Sequence, residues 1–343
     1  MQVHSPGQRE NGSGNRGAFI MDGLWLLDKP KGLTSHQAVN ELARLLGEKR
    51  AGHTGTLDPM ATGLLICCLG RATRLSEYLI RADKTYEGEM TLGATSNTFD
   101  ADGEIAPTGA PLPESPEAIR AAFEKMLGEI EQQAPAFSAL KVAGRRLYEL
   151  AREGRPVNPP KRKVTIKSLA LRRYEPPRAA FTTRVSSGAY VRSICHDVGR
   201  MLGCGAYLSA LRRTRVGYYS VEDALTLEAA AADPAAARRR LIPLHSALKH
   251  LPRVVLTREG LTKFLHGNTL NEEDIKEFLL PRFGPHLPIQ VVDRSRFYGI
   301  MERKKIFTKP SAPGVSGNGA APGAAKPYQY YKPVKVFPPE GGD

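Results

Sequence analysis

Two kinds of hydrophobic pattern alternate along this chain. Residues 24–27 form a short apolar run where order is expected to begin, and residues 64–69 form another that reads as a buried strand. Residues 84–92, 164–174, 181–186 and 208–219 also read as strands. Helical spacing takes over elsewhere. Ala38, Val39, Leu42, Leu45 and Leu46 recur on one face behind Thr34 or Ser35, which can cap a helix, and Gly47 stands where a helix-ending glycine belongs. Ser115-Pro116-Glu117 is a helix start, with a cap, a proline at the first position and an acid in the first turn, and predicts a helix to about residue 127. Residues 72–80 and 190–202 read as helices, and the alanine-rich stretch 225–240 as a further one. Residues 252–256, 289–293 and 297–301 look like short strands of a small separate module.

Strands and helices mix without regular β-α-β alternation and without an internal repeat. The expected class is therefore α+β, a mixed, largely antiparallel sheet flanked by helices with a small β-rich C-terminal module. The expected boundaries are a polar, Gly/Ser/Asn-rich N-terminal extension at 1–20, a main domain at 21–250, a short module at 251–305 and a tail at 306–343. The tail holds seven prolines from Thr308 onward and is expected to be disordered, as is the extension.

With 343 residues the chain has room for about two domains and a sizeable core. Lys and Arg number 49 against 35 Asp and Glu, a net charge of +14 that suits a polyanion such as nucleic acid. No apolar run is long enough to span a bilayer, and the N-terminus lacks the apolar region of a signal peptide, so a cytoplasmic protein with no membrane contact is expected. The four cysteines, Cys67, Cys68, Cys195 and Cys204, form no C-x-x-C pair and suggest neither a disulfide framework nor a zinc site. The eight histidines offer no H-E-x-x-H or similar ligand set, so no metal is expected.

The stretch richest in chemistry is Gly52-His53-Thr54-Gly55-Thr56-Leu57-Asp58-Pro59-Met60-Ala61-Thr62-Gly63. Pro59 disfavours the α region at Asp58, so one carboxylate is held in extended or turn geometry on a stiffened loop. Two readings of Asp58 stand on the residues alone. It caps a turn, as Asp-Pro often does, or it is presented as a nucleophile or base. The loop is no P-loop, because G-x-x-x-x-G-K-[ST] is absent.

At this point the chain resembles the tRNA pseudouridine synthase B (TruB) family. Asp28-Lys29-Pro30-Lys31-Gly32 with Thr34-Ser35 is similar to the family's first motif, and the loop ending in Asp58-Pro59 to its catalytic one. Further matches, in order, are Lys84-Thr85-Tyr86, Pro135-Ala136-Phe137-Ser138-Ala139-Leu140-Lys141, Tyr190-Val191-Arg192-Ser193-Ile194 and Leu211-Arg212-Arg213-Thr214-Arg215-Val216-Gly217. The resemblance runs from about residue 24 to 301. Leu265-His266-Gly267-Asn268 and Tyr298-Gly299-Ile300 resemble a short PUA-like RNA-binding module.

The resemblance implies isomerisation of the T-loop uridine of tRNA, conventionally position 55, to pseudouridine. Substrate and product are isomers, so no cofactor is implied. Asp58 would be the catalytic carboxylate, Arg192 its ion-pair partner and Tyr86 the ring that stacks on the flipped base. Removing either member of the Asp58–Arg192 pair is expected to strand a buried charge, costing about 3–5 kcal/mol. His53, Tyr190 and Leu211 would contact the substrate, and Lys29 would brace the pocket. Lys141 and Arg145, Lys161 to Lys163, and Arg212, Arg213 and Arg215 would grip the RNA backbone. The expected partner is the tRNA T-arm, bound by a monomer. Two other readings stand beside this one: the catalytic subunit of a guide-RNA-dependent pseudouridylation particle, and a non-catalytic RNA-binding or RNA-folding protein.

Overall fold

The computed structural model describes residues 21–135, 141–142, 145–147, 153, 159–279, 287–293, 296–306 and 328–339. The expected extension at 1–20 and the tail residues 307–327 lie outside them. The first half of the chain runs β1 (Gly23–Lys29), α1 (Ser35–Leu46), β2 (Ala51–His53), β3 (Thr62–Leu69), α2 (Ser76–Ile80), β4 (Lys84–Leu92), β5 (Ala94–Ser96), β6 (Ile105–Pro107), α3 (Pro116–Lys125) and β7 (Gly128–Gln133). Then come β8 (Lys141–Val142), β9 (Arg145–Arg146), β10 (Lys161–Glu175), β11 (Arg178–Val185), α4 (Val191–Met201), β12 (Ala206–Val216) and β13 (Tyr219–Ser220). The remainder is α5 (Leu227–Ala232), α6 (Pro234–Arg239), β14 (Ile242–Pro243), α7 (Leu244–Ala247), β15 (Arg253–Leu256), α8 (Arg258–Leu265), β16 (Ile275–Phe278), β17 (Ile289–Asp293), β18 (Arg296–Ile306) and β19 (Tyr328–Val336).

The class is α+β, as expected. A ten-stranded sheet runs β14-β1-β3-β12-β4-β11-β10-β7, with β2 added to β3 and β13 to β12. Its ladders are antiparallel except where β3 meets β12, a parallel contact of two residue pairs, Thr62–Arg212 and Gly63–Arg213. Beyond it the two strands part. Gly63 has φ +99, and a Cβ there would lie 2.3 Å from the Arg213 carbonyl oxygen, so the crossing demands glycine.

The apolar runs of β1 and β3 are continuous because both faces of these strands are covered. Trp25, Leu27, Leu65, Cys67 and Leu69 face a core shared with α1 and α4. Leu24, Leu26, Leu64, Ile66 and Cys68 face the opposite way, into a second core. Helix α1 has the expected ends: Thr34 accepts from the Gln37 N–H in a capping box, and Gly47 closes it at φ 74.

Several elements differ from expectation. The 72–80 helix arrives as a 3₁₀ segment, Gly70–Leu75, followed by α2. The helix over 225–240 breaks at Asp233, because Pro234 lacks the N–H that would continue the ladder; the Asp233 side chain then caps α6. The strand over 208–219 turns at Gly217 (φ +55) and resumes as β13.

The C-terminal sheet, β16-β15-β17-β18-β19, is a β-rich module with a core of its own around Val254, Phe264 and Tyr298, and one side of it packs on the large domain. Its Val292, Phe297 and Ile300 join Phe337 in the same core as Leu24, Ile66 and Leu75 of the large domain. The expectation of a structureless tail from 306 also fails over 328–339. Tyr328–Val336 pairs along β18, with Tyr331 and Phe337 buried. Proline and glycine content around it conceals a short strand that only its partner edge reveals.

Candidate active site

The loop between β2 and β3 is fastened from three directions. Arg213, on β12 and only 2% exposed, donates to the carbonyls of Leu64 (2.7 Å), Gly55 (3.0 Å) and Thr56 (3.4 Å). Ser35, the first residue of α1, accepts from Leu57 N–H at 2.8 Å, and its hydroxyl lies 3.0 Å from the Leu57 carbonyl. Lys29, fully buried at the end of β1, donates to the carbonyls of Pro30 and Leu33, both at 2.8 Å, and to Pro59 at 3.5 Å. Burial lowers the Lys29 pKa to about 8, against the pull of Asp58. The loop is therefore rigid at the point where Asp58 leaves it.

The Asp58 carboxylate faces Arg192 of α4. Arg192 Nε lies 3.2 Å from Asp58 Oδ2, and Nη2 donates to Oδ1 at 3.4 Å. A second carboxylate, Asp100, takes the other side of the guanidinium: Nη1 donates to its Oδ2 at 2.9 Å and to the Thr98 carbonyl at 3.3 Å. The two acids differ in access. The Asp58 side chain is 33% exposed and that of Asp100 4%. Asp100 is otherwise satisfied, its Oδ1 accepting from the Thr98 hydroxyl at 2.6 Å and the Asp102 N–H at 3.1 Å. Desolvation raises the Asp58 pKa; Arg192 opposes this, while Asp100 and Asp102 add to it. Asp58 is thus an acid that gains free energy from anything cationic or hydrogen-bonding brought into its cleft.

The remaining expected residues lie on the same side of the sheet. Tyr86 of β4 sits opposite Arg213, and its neighbour Gly88 opposite Leu211, so Tyr86 and Leu211 share a face with the loop-holding arginine. Both belong to the core cluster that contains Leu57 and Met60. Where β3 and β12 part, Lys31, Met60, Glu87, Glu89, Leu211 and Arg212 are among the residues lining an open cleft of about 280 Å³, next in sequence to the Asp58 loop but not lined by Asp58 itself. Tyr190 precedes α4, its backbone gripped at both N–H (2.7 Å) and carbonyl (3.0 Å) by the buried Gln132 side chain. His53 is half-buried at the end of β2; burial and then Arg213 lower its pKa.

Two expectations about RNA grip change. Arg213 is not a backbone-gripping cation: it faces inward and spends its donors on loop carbonyls. Strand alternation explains this, because Arg212 points outward and pairs with Asp28 (2.7 and 3.0 Å) while Arg213 points to the core. In the 161–163 cluster, Lys161 pairs with Glu131 and Lys163 with Glu129, whereas Arg162 lies over the Tyr190 ring at 4.5 Å with no acidic partner among the described residues. Lys141 and Arg145 fall in the small ladder Lys141–Arg146, Val142–Arg145. The matched segment 136–140 lies outside the described residues. Sequence reasoning missed Asp100 and Gln132, and it gave Ser35 a capping and motif role but not its hold on Leu57. The run Ser96-Asn97-Thr98 before Asp100 signals a turn, but nothing in it points to a residue 92 positions away.

Comparison with known proteins adds to this geometry. Solved structures with the same fold include an H/ACA ribonucleoprotein bound to a substrate RNA containing 2′-deoxyuridine (25% identity, TM-score 0.65, covering 82% of this chain and 78% of that one). An archaeal box H/ACA Nop10–Cbf5 complex is similar at 26% identity and TM-score 0.63, covering 82% and 79%. The class of protein is a pseudouridylate synthase. Residues 43–191 match the model of the TruB family pseudouridylate synthase N-terminal domain, and residues 192–249 that of the tRNA pseudouridylate synthase B C-terminal domain. Curated proteins named tRNA pseudouridine synthase B are 43% identical in Cupriavidus metallidurans (84% of this chain, 92% of that protein) and 47% identical in Aromatoleum aromaticum (73% and 82%). The chain belongs to the TruB family.

Proposed function

We propose that this pseudouridylate synthase acts on tRNA, converting the T-loop uridine at conventional position 55, with Asp58 as the reacting carboxylate. The observation that carries the reading is the Asp58–Arg192 pair: a partly exposed acid on a rigid loop, 3.2 Å from a guanidinium that a second acid holds from behind. The reaction breaks the bond from ribose C1′ to N1 of uracil and forms one from C1′ to C5; the proton leaves C5 and N1 gains one. Atoms and electrons balance within the substrate and solvent, so no cofactor or metal is needed. Asp58 acts by attacking the sugar or by abstracting a ribose proton; each route needs it ionised, which Arg192 favours.

The target base must leave its stack to reach the cleft. Tyr86 stacks on it, Leu211 forms the apolar wall, and His53 and Tyr190 contact the flipped nucleotide. Lys141, Arg145, Arg162 and Arg212 hold the RNA backbone, with the 251–305 segment serving as a PUA-like extension of that surface. The enzyme works as a monomer in the cytoplasm, where its substrate is. Among the described residues no helix is long and apolar enough to cross a membrane.

The test is purified protein, with no other protein or guide RNA, on unmodified tRNA, with pseudouridine mapped in the product. Conversion at the T-loop uridine by wild type, abolished in Asp58→Asn, supports the reading. The likeness to H/ACA structures favours a second one, a guide-dependent subunit. Conversion that requires a guide RNA and partner proteins would establish it instead, against the tRNA synthase names of the relatives 43–47% identical.

A further inference from the structure

Phe99 has φ +65 and is the only non-glycine among the described residues in the left-handed region, a conformation that bulky side chains resist. Its neighbours on either side, Thr98 and Asp100, are the two residues that hold Nη1 of Arg192. Backbone bonds also tie the turn: Phe99 N–H donates to the Ser96 carbonyl at 3.1 Å, Leu208 N–H to the Phe99 carbonyl at 3.0 Å and Ala101 N–H to the Leu208 carbonyl at 3.0 Å. The Phe99 ring meets His196, with centroids 3.9 Å apart and planes 20° from parallel.

His196 follows Arg192 by four residues in α4, so both project from one helix face. That face grips three successive residues of the turn, Arg192 taking 98 and 100 by hydrogen bonds and His196 taking 99 by stacking. The imidazole is not held there by polar contacts, because its buried Nδ1 has no hydrogen-bond partner among the described residues. Burial lowers its pKa, against the pull of Asp197, which disfavours the charged ring where it meets Phe99.

We infer that the His196–Phe99 stack is a positioning device for the reaction: it clamps the strained turn so that Thr98 and Asp100 fix the Arg192 guanidinium, and Arg192 in turn sets Asp58. This rests on the reading of Asp58 as the reacting group. Neither ring is among the residues assigned to contact the flipped nucleotide, so the effect is expected in kcat rather than in tRNA binding.

The experiment compares His196→Ala, Phe99→Gly, His196→Phe and Asp58→Asn on unmodified tRNA, with thermal melting of each protein. Phe99→Gly is informative because glycine adopts φ +65 freely, so its effect reports the lost ring rather than backbone strain. The expected result is a loss of about tenfold or more in kcat for His196→Ala and Phe99→Gly, with KM changed less than about twofold. His196→Phe restores a flat ring and recovers most of kcat. The double variant His196→Ala/Phe99→Gly is no slower than the slower single, since the two rings form one contact. Wild-type kcat in both His196→Ala and Phe99→Gly, or a His196→Phe protein that melts normally yet stays as slow as His196→Ala, overturns the inference. Turnover by Asp58→Asn overturns the functional reading beneath it; an inactive Asp58→Asn beside a fully active His196→Ala overturns the positioning role alone.

Discussion

Arg192 and Asp100 form the most enclosed ion pair of the described residues, 2.9 Å apart with side chains 5% and 4% exposed. The pair is a fixed unit inside the domain, and Asp58 is a third member that meets it from the cleft. The expectation that removing Asp58 strands a buried arginine does not follow, because Asp100 and the Thr98 carbonyl still hold the guanidinium.

That arrangement predicts the stability of Asp58→Asn. A carboxyl whose folded pKa is raised stabilises the protein below its unfolded pKa and loses that contribution as pH rises through the folded value. At neutral pH the ionised Asp58 is therefore a cost, and Asn removes it. Asp58→Asn should melt at or above the wild-type temperature at pH 7, with the difference vanishing as pH falls below the ordinary aspartate value near 3.8. The same raised pKa places the acid limb of the wild-type kcat/KM profile above the usual carboxylate range. Melting curves and rate profiles across pH check both.

Replacing Arg192 behaves in the opposite way. Arg192→Ala leaves Asp58 and Asp100 without the guanidinium between them, with Lys29 still attracting Asp58, and Asp100 is far too buried to be rescued by water. The cost should be about 3–5 kcal/mol, read from urea unfolding, in contrast to the neutral or favourable Asp58→Asn.

On the proposed reading, Arg162 grips RNA while Arg213 supports the loop. Arg162→Gln should raise KM for tRNA, leave kcat nearly unchanged and flatten the salt dependence of binding by about one unit in log–log slope. Arg213→Gln should leave that slope unchanged while lowering both kcat and stability, because two loop carbonyls and that of Leu64 in β3 lose their donor. An Arg213 variant with normal melting and a reduced slope would return Arg213 to the RNA surface.

Phe337, 1% exposed, fills a core it shares with Leu24 and Ile66 at the other end of the chain. Phe337→Ala should cost about 3–5 kcal/mol and lower the unfolding of the large domain with it, in a single transition. Two separate transitions would mean that the C-terminal sheet folds independently.

Much of the fold is legible locally. The Thr34 cap, the Gly47 stop and the β4 alternation are each specified by residues within a few positions, and each appears where expected. Arg213 is instructive because its signal was present and outweighed. Read as one charged cluster, Arg212-Arg213-Thr214-Arg215 looks solvated; read with the period of a strand, it sends alternate side chains to opposite faces. The β19 strand was hidden for another reason. Its nine residues alternate weakly amid proline and glycine, and a strand needs an edge to pair with, which here is β18.

The spacing of strands and helices and the order of motifs, carried by neighbouring residues, were enough to give the α+β class and the family, and they singled out Asp58 as the candidate carboxylate. Which charges are buried was decided only in three dimensions. Arg192 meets Asp58 from 134 residues away and Asp100 from 92, and Trp25, Leu64 and Phe337 become core only once distant strands cover them. Desolvation and hydrogen-bond satisfaction depend on all the neighbours of a group, and most of those neighbours come from elsewhere in the chain.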